Sequence, residues 1–392
     1  MKKITVLGNF SGRNAGDAAI LGCLVKDISE HFKDVVFHVP TINTGFVRKS
    51  LLDYNVKPVS LLPWNFCIKI LGVPTFRTTL NSNLVLVTDA ILFERKLYNP
   101  LYNYLWTLSK VLPRAKKKNI PVVLYNCSLG PIRSKRGRAC LKKVIDSAEV
   151  LVLRDLESLE LLKKLDISHA NIHIGADCAL NAVAVSDSKF SHIYRNEQLY
   201  SGDKPVVGFN VNSYVDAYVR ENGQAFGRQR FINLFAETVD RTVEQLSVEV
   251  VFVETQHMDM GIANEVYEKI QHKDSVKLIS NKKYSYEEIC AILKRLELFV
   301  GMRTHSLILS TAMGIPAAGV VTYPKNRGYM KTVGLEDYLI DFSNMSTDNF
   351  FNLILRAWSQ RKEMRKRFLP KIEAEKMKAR NSAAILAPFL KK

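Results

Sequence analysis

The feature that most constrains the fold is a regular alternation of short apolar runs with longer stretches of helical spacing. Strands separated by helical segments need crossover connections, and such connections join parallel strands. The alternation therefore predicts α/β domains with doubly wound parallel sheets. In the first half of the chain, the predicted strands are 3–7, 34–39, 84–88, 121–126 and 150–153, with a helix at 17–32.

The alternation pauses at residues 182–204, a polar and irregular stretch that is the best linker candidate, and then restarts. A chain of 392 residues also exceeds what one hydrophobic core usually serves. We therefore predict a Rossmann-like domain at 1–190, a second at 204–345, and a helical C-terminal segment at 346–392 that packs back on the domains. The predicted strands of the second half are 205–210, 248–253, 276–279, 297–301 and 316–322, and the predicted helices are 228–246, 261–272, 285–295, 304–313 and 347–390.

The net charge of +18 is the strongest bulk signal, with basic clusters at 114–118, 133–138 and 361–367. Such clusters form solvated helix faces, or they attract an anionic substrate or an anionic membrane surface. Nucleic acid is the weakest of the functional interpretations, because neither zinc-finger spacing nor an aromatic RNA-binding motif accompanies the charge.

Several features predict a cytoplasmic protein. The segment Met1–Leu7 reads as a first strand rather than a signal peptide, and no apolar run reaches the length of a membrane helix. The six cysteines lack CxxC pairing and read as buried thiols of a reducing compartment. The apolar segment 61–74 has basic edges, so it either lies on a membrane that presents a lipid-linked acceptor or packs beneath the first domain.

A glycine-rich loop follows the first predicted strand and opens the first helix. Its glycines, Gly8, Gly12 and Gly16, match neither the Walker spacing nor GxGxxG. Asp17 is placed to cap the helix, and the first amide groups of a helix favour anions. The loop is therefore either an anion-binding turn or an ordinary glycine-rich connection.

A second constellation combines three basic side chains near strand ends. Arg303 and His305 follow the apolar strand 297–301 and open a helix, and Lys325 follows the next strand. The carboxyl ends of parallel strands share one edge of a sheet, so these groups should lie close together. Arginine, histidine and lysine at one edge suit a small, multiply charged anion. The alternative for His305 is a structural histidine that caps the helix.

Arg154 stands at a similar position, where the strand 150–153 ends and a helix begins. It is a further candidate for anion binding. The alternative is an ion pair with Asp155, Glu157 or Asp177.

These segments together resemble the polysaccharide pyruvyl transferase family, and the matches spread over most of the chain. The most distinctive block lies between residues 301 and 325. The matching segments are Gly12-x-Asn14-x-Gly16-Asp17, Leu129-Gly130-Pro131-Ile132, Arg154-Asp155-x-x-Ser158, Gly175-Ala176-Asp177, Val207-Gly208-Phe209-Asn210 and Gly301-Met302-Arg303-x-His305-Ser306 through Gly314-Ile315-Pro316 to Tyr323-x-Lys325.

The resemblance implies a glycosyltransferase-B-like arrangement of the two domains, with the acceptor on the first and the donor on the second. It implies phosphoenolpyruvate as co-substrate, a sugar or lipid-linked oligosaccharide as acceptor, and a pyruvyl ketal as product. The family's functional basic residues map onto Arg154, His305 and Lys325, with Arg303 beside them. The other substrate-binding candidates are Asn14, Gly16, Asp17, Asp89 and Ser306.

One departure from the family pattern concerns the loop near residue 90. The family usually carries a Gly-Gly pair where this chain has Asp89-Ala90. The side chains of Asp89 and Ala90 narrow the loop or make it more polar. We therefore predict that the sugar acceptor differs from the one usual in the family. Asp17 or Asp89 is a candidate to orient a sugar hydroxyl.

In the mechanism that these residues suggest, the basic side chains bind the donor and His305 is the general acid. No cofactor and no metal is expected, because the sequence shows no cluster of ligands with metal spacing.

Two other functions fit the same pattern. A nucleotide-sugar glycosyltransferase would also use cations for phosphates and would place a carboxylate, such as Glu254 or Glu297, on the ribose. A non-catalytic glycan-binding relative would keep the fold without the chemistry, as the altered loop at 87–93 allows.

Overall fold

The computed structural model describes residues 1–61, 73–94, 97, 104–199, 204–213, 220–221, 224–322 and 324–391. Contacts divide the chain into two compact units. Unit 1 comprises Met1–Gly12, Asp17–Asn181 and Glu375–Lys392, and unit 2 comprises Arg13–Gly16 and Ala182–Ala374.

Unit 1 is built on a seven-stranded sheet in which all strands run parallel, in the order β3-β2-β1-β4-β5-β6-β7. All eight residues of its strand at 122–129 are buried, as expected for a parallel strand covered on both faces. The strands are β1 (Lys2–Leu7), β2 (Val35–Thr41), β3 (Val56–Ser60), β4 (Leu84–Leu92), β5 (Val122–Leu129), β6 (Val150–Leu153) and β7 (Ile172–Ile174).

The helices of unit 1 bury their apolar faces against this sheet. Several begin at capping side chains; for example, Ser134 accepts a hydrogen bond from the amide of Gly137, and Asp155 accepts one from the amide of Ser158. The helices are α1 (Ala15–His31), α2 (Thr44–Ser50), α3 (Val73–Leu80), α4 (Leu105–Lys117), α5 (Lys135–Ile145) and α6 (Leu156–Lys164), followed by a 3₁₀ turn at Cys178–Asn181.

Unit 2 contains a six-stranded parallel sheet in the order β12-β11-β8-β13-β14-β15, and a separate two-stranded hairpin of β9 and β10. The strands are β8 (Val206–Phe209), β9 (Arg220–Glu221), β10 (Gln224–Ala225), β11 (Glu249–Glu254), β12 (Val276–Ser280), β13 (Leu298–Gly301), β14 (Ala317–Val321) and β15 (Leu339–Asp341).

The helices of the second half follow its strands in the same crossover pattern. They are α7 (Asp187–Glu197), α8 (Arg228–Leu246), α9 (Met260–Lys269), α10 (Tyr286–Leu293), α11 (Thr304–Ala312), α12 (Pro324–Thr332), α13 (Thr347–Asn381) and α14 (Ala387–Leu390). Short 3₁₀ turns lie at His257–Asp259, Lys273–Ser275, Glu336–Tyr338, Phe342–Asn344 and Ser382–Leu386.

The structure differs from the predicted domain limits at two places. Residues 187–197 of the proposed linker form α7, because Phe190 and Ile193 give this polar segment a buried face. Contacts assign α7 to unit 2, which begins at Ala182 rather than after residue 190. The helical segment 346–392 is divided, since unit 2 ends at Ala374 within α13.

Among the described residues, no helix has an apolar stretch long enough to cross a bilayer. Most of the apolar segment 61–74, namely residues 62–72, lies outside the part of the chain that the structure describes. The five cysteines within that part are free thiols.

A buried carboxylate in α1 makes the stability of unit 1 depend on pH. The amide of Asn181 donates to Asp27 at 3.1 Å and also to the carbonyl of Lys376 at 3.4 Å. Burial raises the pKa of Asp27 from 3.8 to about 6, against the lowering effects of Asn181 and Arg380. Folding therefore favours the neutral carboxyl group.

We expect Asp27→Asn to stabilise the protein at pH 8 by about 3 kcal/mol, which corresponds to that rise in pKa. Wild-type stability should fall as the pH rises from about 4 to about 6, because the unfolded state releases its proton first. The stability of the Asp27→Asn variant should not show this fall, because asparagine does not titrate. Urea unfolding of both proteins at pH 4 and pH 8 measures the difference. Asp34→Asn, at an exposed position, serves as the control and should change neither value.

Candidate functional site

The polar residues at the carboxyl ends of β8, β11 and β13 form one hydrogen-bonded cluster in unit 2. The side-chain oxygen of Asn210 accepts from the amide of Arg303 and from the hydroxyl of Ser306, each at 3.1 Å. The side-chain amide of Asn210 donates to Glu254 at 2.9 Å. Asn210 therefore fixes the turn that carries the Arg-x-His motif.

Arg303 is engaged in a two-pronged ion pair. Its Nε donates to Oδ2 of Asp259 at 2.7 Å, and its Nη2 donates to Oδ1 at 2.5 Å. Asp259 is fully buried and also accepts from the amide of Ser213 at 2.9 Å. The aspartate neutralises the guanidinium and fixes its orientation, while the role of Arg303 in anion binding stays a prediction.

Glu254 faces inward and is fully buried. Its two oxygens accept hydrogen bonds from Asn210 and from the amide of Val211. Burial raises the pKa of Glu254 well above its usual range, and the nearby charge of Asp259 raises it further. Both oxygens are thus committed within the protein.

Glu297 precedes β13, so it lies at the amino edge of the sheet, where it pairs with Arg361 at 3.2 Å. The two carboxylates that a nucleotide-sugar enzyme would place on a ribose are therefore both engaged elsewhere.

The glycine-rich loop and the Arg-x-His motif meet in unit 2. The amide of His257 donates to the carbonyl of Arg13 at 3.0 Å, and the amide of Ala15 donates to the carbonyl of Thr255 at 2.8 Å. The next residue, Gly16, lies against the His305 ring. A Cβ atom on Gly16 would lie 2.2 Å from Cγ of His305 and 2.4 Å from its Nδ1. Only glycine fits this contact without movement of the imidazole.

Asn14, rather than Asp17, caps the start of α1. The side chain of Asn14 accepts from the amide of Gly16 at 2.8 Å, and Asn14 also forms a β-bridge with Gln256. Asp17 lies within the first turn, is buried, and accepts from Asn9 at 3.0 Å. Asn14 and Asp17 therefore shape the loop and the first turn.

Lys325 lies in the first turn of α12 and is half-buried. Its neighbour Asn326 is fully buried and accepts from the Thr304 hydroxyl at 2.7 Å. The same side chain donates to the carbonyl of Met302 at 2.9 Å. These bonds tie the start of α12 to the start of α11, which places Lys325 and His305 on neighbouring helix ends, as the sequence predicts.

Arg154 belongs to unit 1 and forms a buried ion pair. Its side chain is 6% exposed, and its Nη1 lies 2.5 Å from Oδ2 of Asp177 and 3.9 Å from Oδ1 of Asp89. Burial acts to lower the pKa of Arg154, but Asp177 and Asp89 raise it above its usual value. The sequence left open whether Arg154 binds an anion or pairs with a nearby carboxylate, and the structure shows the ion pair with Asp177. The convergence of Arg154 with the basic groups of unit 2 stays a prediction.

Asp89 occupies a backbone conformation that favours glycine. Its φ angle is 67°, and the pairing of β4 with β5 shifts register on both sides of it. Its carbonyl accepts from the Cys127 thiol at 3.2 Å, and its carboxylate accepts from the amide of Ala90 at 2.5 Å. The departure from the Gly-Gly pattern thus falls on a left-handed residue, which aspartate tolerates better than most side chains.

Two residues near the Arg-x-His motif are not predicted from the sequence. Asp259 neutralises Arg303, and His257 adjoins the glycine-rich loop. Burial lowers the pKa of His257, and the charges of Lys282 and Arg13 lower it further, against a hydrogen bond to the carbonyl of Asn281 that raises it. The only signal for both residues is their position just after β11.

Removal of the Arg154 partner should destabilise unit 1. We expect Asp177→Ala to lower the free energy of unfolding by about 3–5 kcal/mol, because it leaves a buried guanidinium without its closest counter-charge. Guanidinium chloride unfolding followed by circular dichroism measures the loss. Asp146→Ala, which removes an exposed ion pair with Lys142, should cost under about 1 kcal/mol. Equal losses of unfolding free energy in the two variants would show that the buried Arg154 pair stabilises the protein no more than an exposed pair does.

The two parallel-sheet units and the long C-terminal helix define a protein of the glycosyltransferase-B-like class, which confirms the predicted fold class. The UDP-GlcNAc 2-epimerase of Neisseria meningitidis matches with a TM-score of 0.67 at 13% identity, covering 100% of this chain and 99% of that one. HepE of Anabaena, solved with UDP-glucose, matches with a TM-score of 0.59 at 16% identity, covering 100% and 96%. A glycosyltransferase of Rickettsia africae gives 0.62 at 10% identity, covering 100% and 99%.

Within this class, the chain belongs to the polysaccharide pyruvyl transferase family, whose sequence model matches residues 14–323. It is also similar to the amylovoran biosynthesis protein AmsJ of Erwinia amylovora, at 21% identity over 410 residues that cover 96% of each chain. The recognised resemblance is thus confirmed, and the chain is a transferase with a role in glycan modification.

Proposed function

We propose that the protein transfers the enolpyruvyl group of phosphoenolpyruvate to two hydroxyls of a glycan sugar, which forms a pyruvyl ketal and releases phosphate. The observation that carries this proposal is the contact between Gly16 and His305. It joins the most distinctive family block, at residues 301–325, to the glycine-rich segment far away in the chain, and family membership supplies the reaction type.

In the proposed reaction, a sugar hydroxyl adds to the central carbon of the enol while the methylene carbon takes up a proton and becomes a methyl group. A second hydroxyl of the same sugar then displaces phosphate from that carbon. The two hydroxyl protons are accounted for, since one ends on the methyl group and the other leaves with phosphate. The reaction needs one general acid and a set of cations for the donor.

His305 is the general acid of this scheme. Its ring is held against Gly16 and it lies beside the turn that Asn210 fixes, so its position is defined before any ligand binds. Lys325, on the neighbouring helix end, binds the donor phosphate or carboxylate. Arg303, held by its ion pair with Asp259, helps to orient the donor.

The acceptor that we propose is a sugar of a lipid-linked oligosaccharide on the cytoplasmic side of a membrane. Asp89 is the residue through which this chain departs from the family pattern, and it lies 3.9 Å from Arg154. A carboxylate at a position where the family usually carries glycine adds a polar group that binds sugar hydroxyls.

The direct test incubates the full chain with phosphoenolpyruvate and a panel of glycosides or lipid-linked oligosaccharides, and measures released phosphate and pyruvylated product by mass spectrometry. Phosphate release that depends on the glycan supports the proposal. Parallel reactions with UDP- and GDP-sugars test the glycosyltransferase alternative. Product only with a nucleotide sugar would refute pyruvyl transfer, and product with neither donor would favour the non-catalytic relative.

A further inference from the structure

Half of the net charge of this protein resides in one short part of unit 1. Residues 104–149 contain eleven Lys and Arg and two acidic residues, a net charge of +9 within a total of +18. All eleven basic residues are exposed. They are Lys110, Arg114, Lys116, Lys117, Lys118, Arg133, Lys135, Arg136, Arg138, Lys142 and Lys143.

The fold gathers these residues on one surface. Helix α4 connects β4 to β5 and helix α5 connects β5 to β6, and the three strands are neighbours in that order. Successive right-handed crossovers in one direction place their helices on the same face of the sheet. The two helices indeed pack side by side. We call the solvent-facing sides of α4 and α5, with Lys118 and Arg133, the basic face.

Within the described residues, acidic side chains compensate a minor part of this charge, and one of them, Glu94, lies beside Arg133 at the start of α5. Asp146 pairs with Lys142 at 2.8 Å, and Asp166 approaches Arg138 at 3.6 Å. Both pairs are exposed, so they hold their geometry weakly. The inward sides of the helices carry the apolar core, which means that the charge is not needed to hold the fold.

Half-buried aromatic residues border the basic face. Trp106 lies in the first turn of α4 with Nζ of Lys110 over its ring at 5.8 Å, and the guanidinium of Arg114 lies 5.9 Å from the ring of Phe76. Aromatic rings beside lysine and arginine are typical of surfaces that meet the headgroups of a bilayer.

We infer that the basic face of α4 and α5 binds an anionic membrane surface and thereby brings the enzyme to the bilayer. The occupant is a layer of anionic headgroups, since the charges spread over two helices rather than converge on a pocket. The inference is independent of the reaction, because it concerns where the enzyme resides and not which group it transfers.

The experiment measures partitioning of the full chain onto vesicles of phosphatidylglycerol and phosphatidylcholine, without donor or acceptor, at low and at physiological salt. The test variant is Lys117→Gln with Lys135→Gln and Lys143→Gln, three exposed positions of the basic face. The control is Lys269→Gln with Lys331→Gln and Lys362→Gln, which are exposed positions of unit 2. Both variants lose the same net charge.

The wild-type protein should bind anionic vesicles and should bind pure phosphatidylcholine vesicles little. It should dissociate from the anionic vesicles as the salt concentration increases. The test variant should partition about tenfold to a hundredfold more weakly, since each basic residue near such a surface contributes severalfold. The control should lose threefold or less. Equal losses in the two variants would overturn the inference by showing that total charge alone matters.

A second arm measures binding of the same proteins to a single-stranded oligonucleotide. Loss of oligonucleotide binding in the test variant with vesicle binding intact would assign the basic face to nucleic acid and refute the inference. Thermal unfolding of each variant verifies that the fold is kept. If vesicle binding holds while no pyruvyl transfer is found, the proposed function fails and this inference stands.

Discussion

His305→Ala is expected to reduce formation of the pyruvyl ketal by about 10²–10⁴-fold while binding of phosphoenolpyruvate changes little. A positioned general acid contributes a rate factor of that size, whereas the cations that bind the donor remain. The measurement is kcat for glycan-dependent phosphate release, compared with the dissociation constant of phosphoenolpyruvate from isothermal titration.

The control for this variant is His192→Ala, an exposed histidine of α7 in the same unit, which should keep full activity. Lys325→Ala should give the opposite pattern, with weaker donor binding and a smaller effect on kcat. Near-normal turnover of His305→Ala would refute the general-acid role. Equal losses of binding and turnover would instead make His305 a donor-binding residue.

The sequence predicts the sheets well because buried parallel strands carry a strong pattern. The strand at 150–153 and the helix at 228–246 are present with those bounds. Strand β3 was missed because it lies at the sheet edge, is only partly buried and contains Pro58, which interrupts the usual strand signal. The linker at 182–204 was predicted from polar composition, yet two buried side chains suffice to hold α7 there.

The shared sheet edge of Arg303, His305 and Lys325 was also predictable, because the carboxyl ends of parallel strands lie at one edge. What the sequence does not show is which side chains neutralise one another. Asp259 stands 44 residues from Arg303, and only the packing of the turn after β11 brings their charges together. Asp177 was one of three candidate partners of Arg154, and spacing alone does not choose among them.

The ion pairs of Arg303 in unit 2 and of Arg154 in unit 1 change the electrostatic role of each arginine. Arg303 and Arg154 were expected to supply positive charge, but each lies beside a buried aspartate at 2.5–2.7 Å. An arginine that is paired with a buried aspartate adds little net positive charge, but its guanidinium is held in a fixed orientation. In the proposed function, the attraction of unit 2 for a small anionic donor would therefore depend on Lys325 and on the starts of α11 and α12, and Arg303 would orient the donor.

Gly16→Ala is expected to lower turnover about a hundredfold or more without loss of fold, because the added methyl group competes with the His305 ring for the same space. The Cβ atom would lie 2.2–2.4 Å from three atoms of that side chain, so the imidazole must move. A displacement of about 1 Å in a catalytic group costs about that factor. Alanine is a better helix former than glycine, so the start of α1 itself should tolerate the change.

The matched control is Gly261→Ala, in the first turn of α9, where a Cβ atom meets nothing within 4 Å. It makes the same chemical change at the same kind of position, so it should leave kcat unaltered and stability unchanged or slightly higher. Thermal unfolding and phosphate release are measured for both variants. If Gly16→Ala matches Gly261→Ala in turnover, the His305 ring has room to move, and the contact does not set its catalytic position. If Gly16→Ala instead unfolds at a clearly lower temperature than wild type, the contact with His305 serves stability. Only slow turnover in a fully folded variant supports the view that a glycine of the first loop positions the histidine of the Arg-x-His motif.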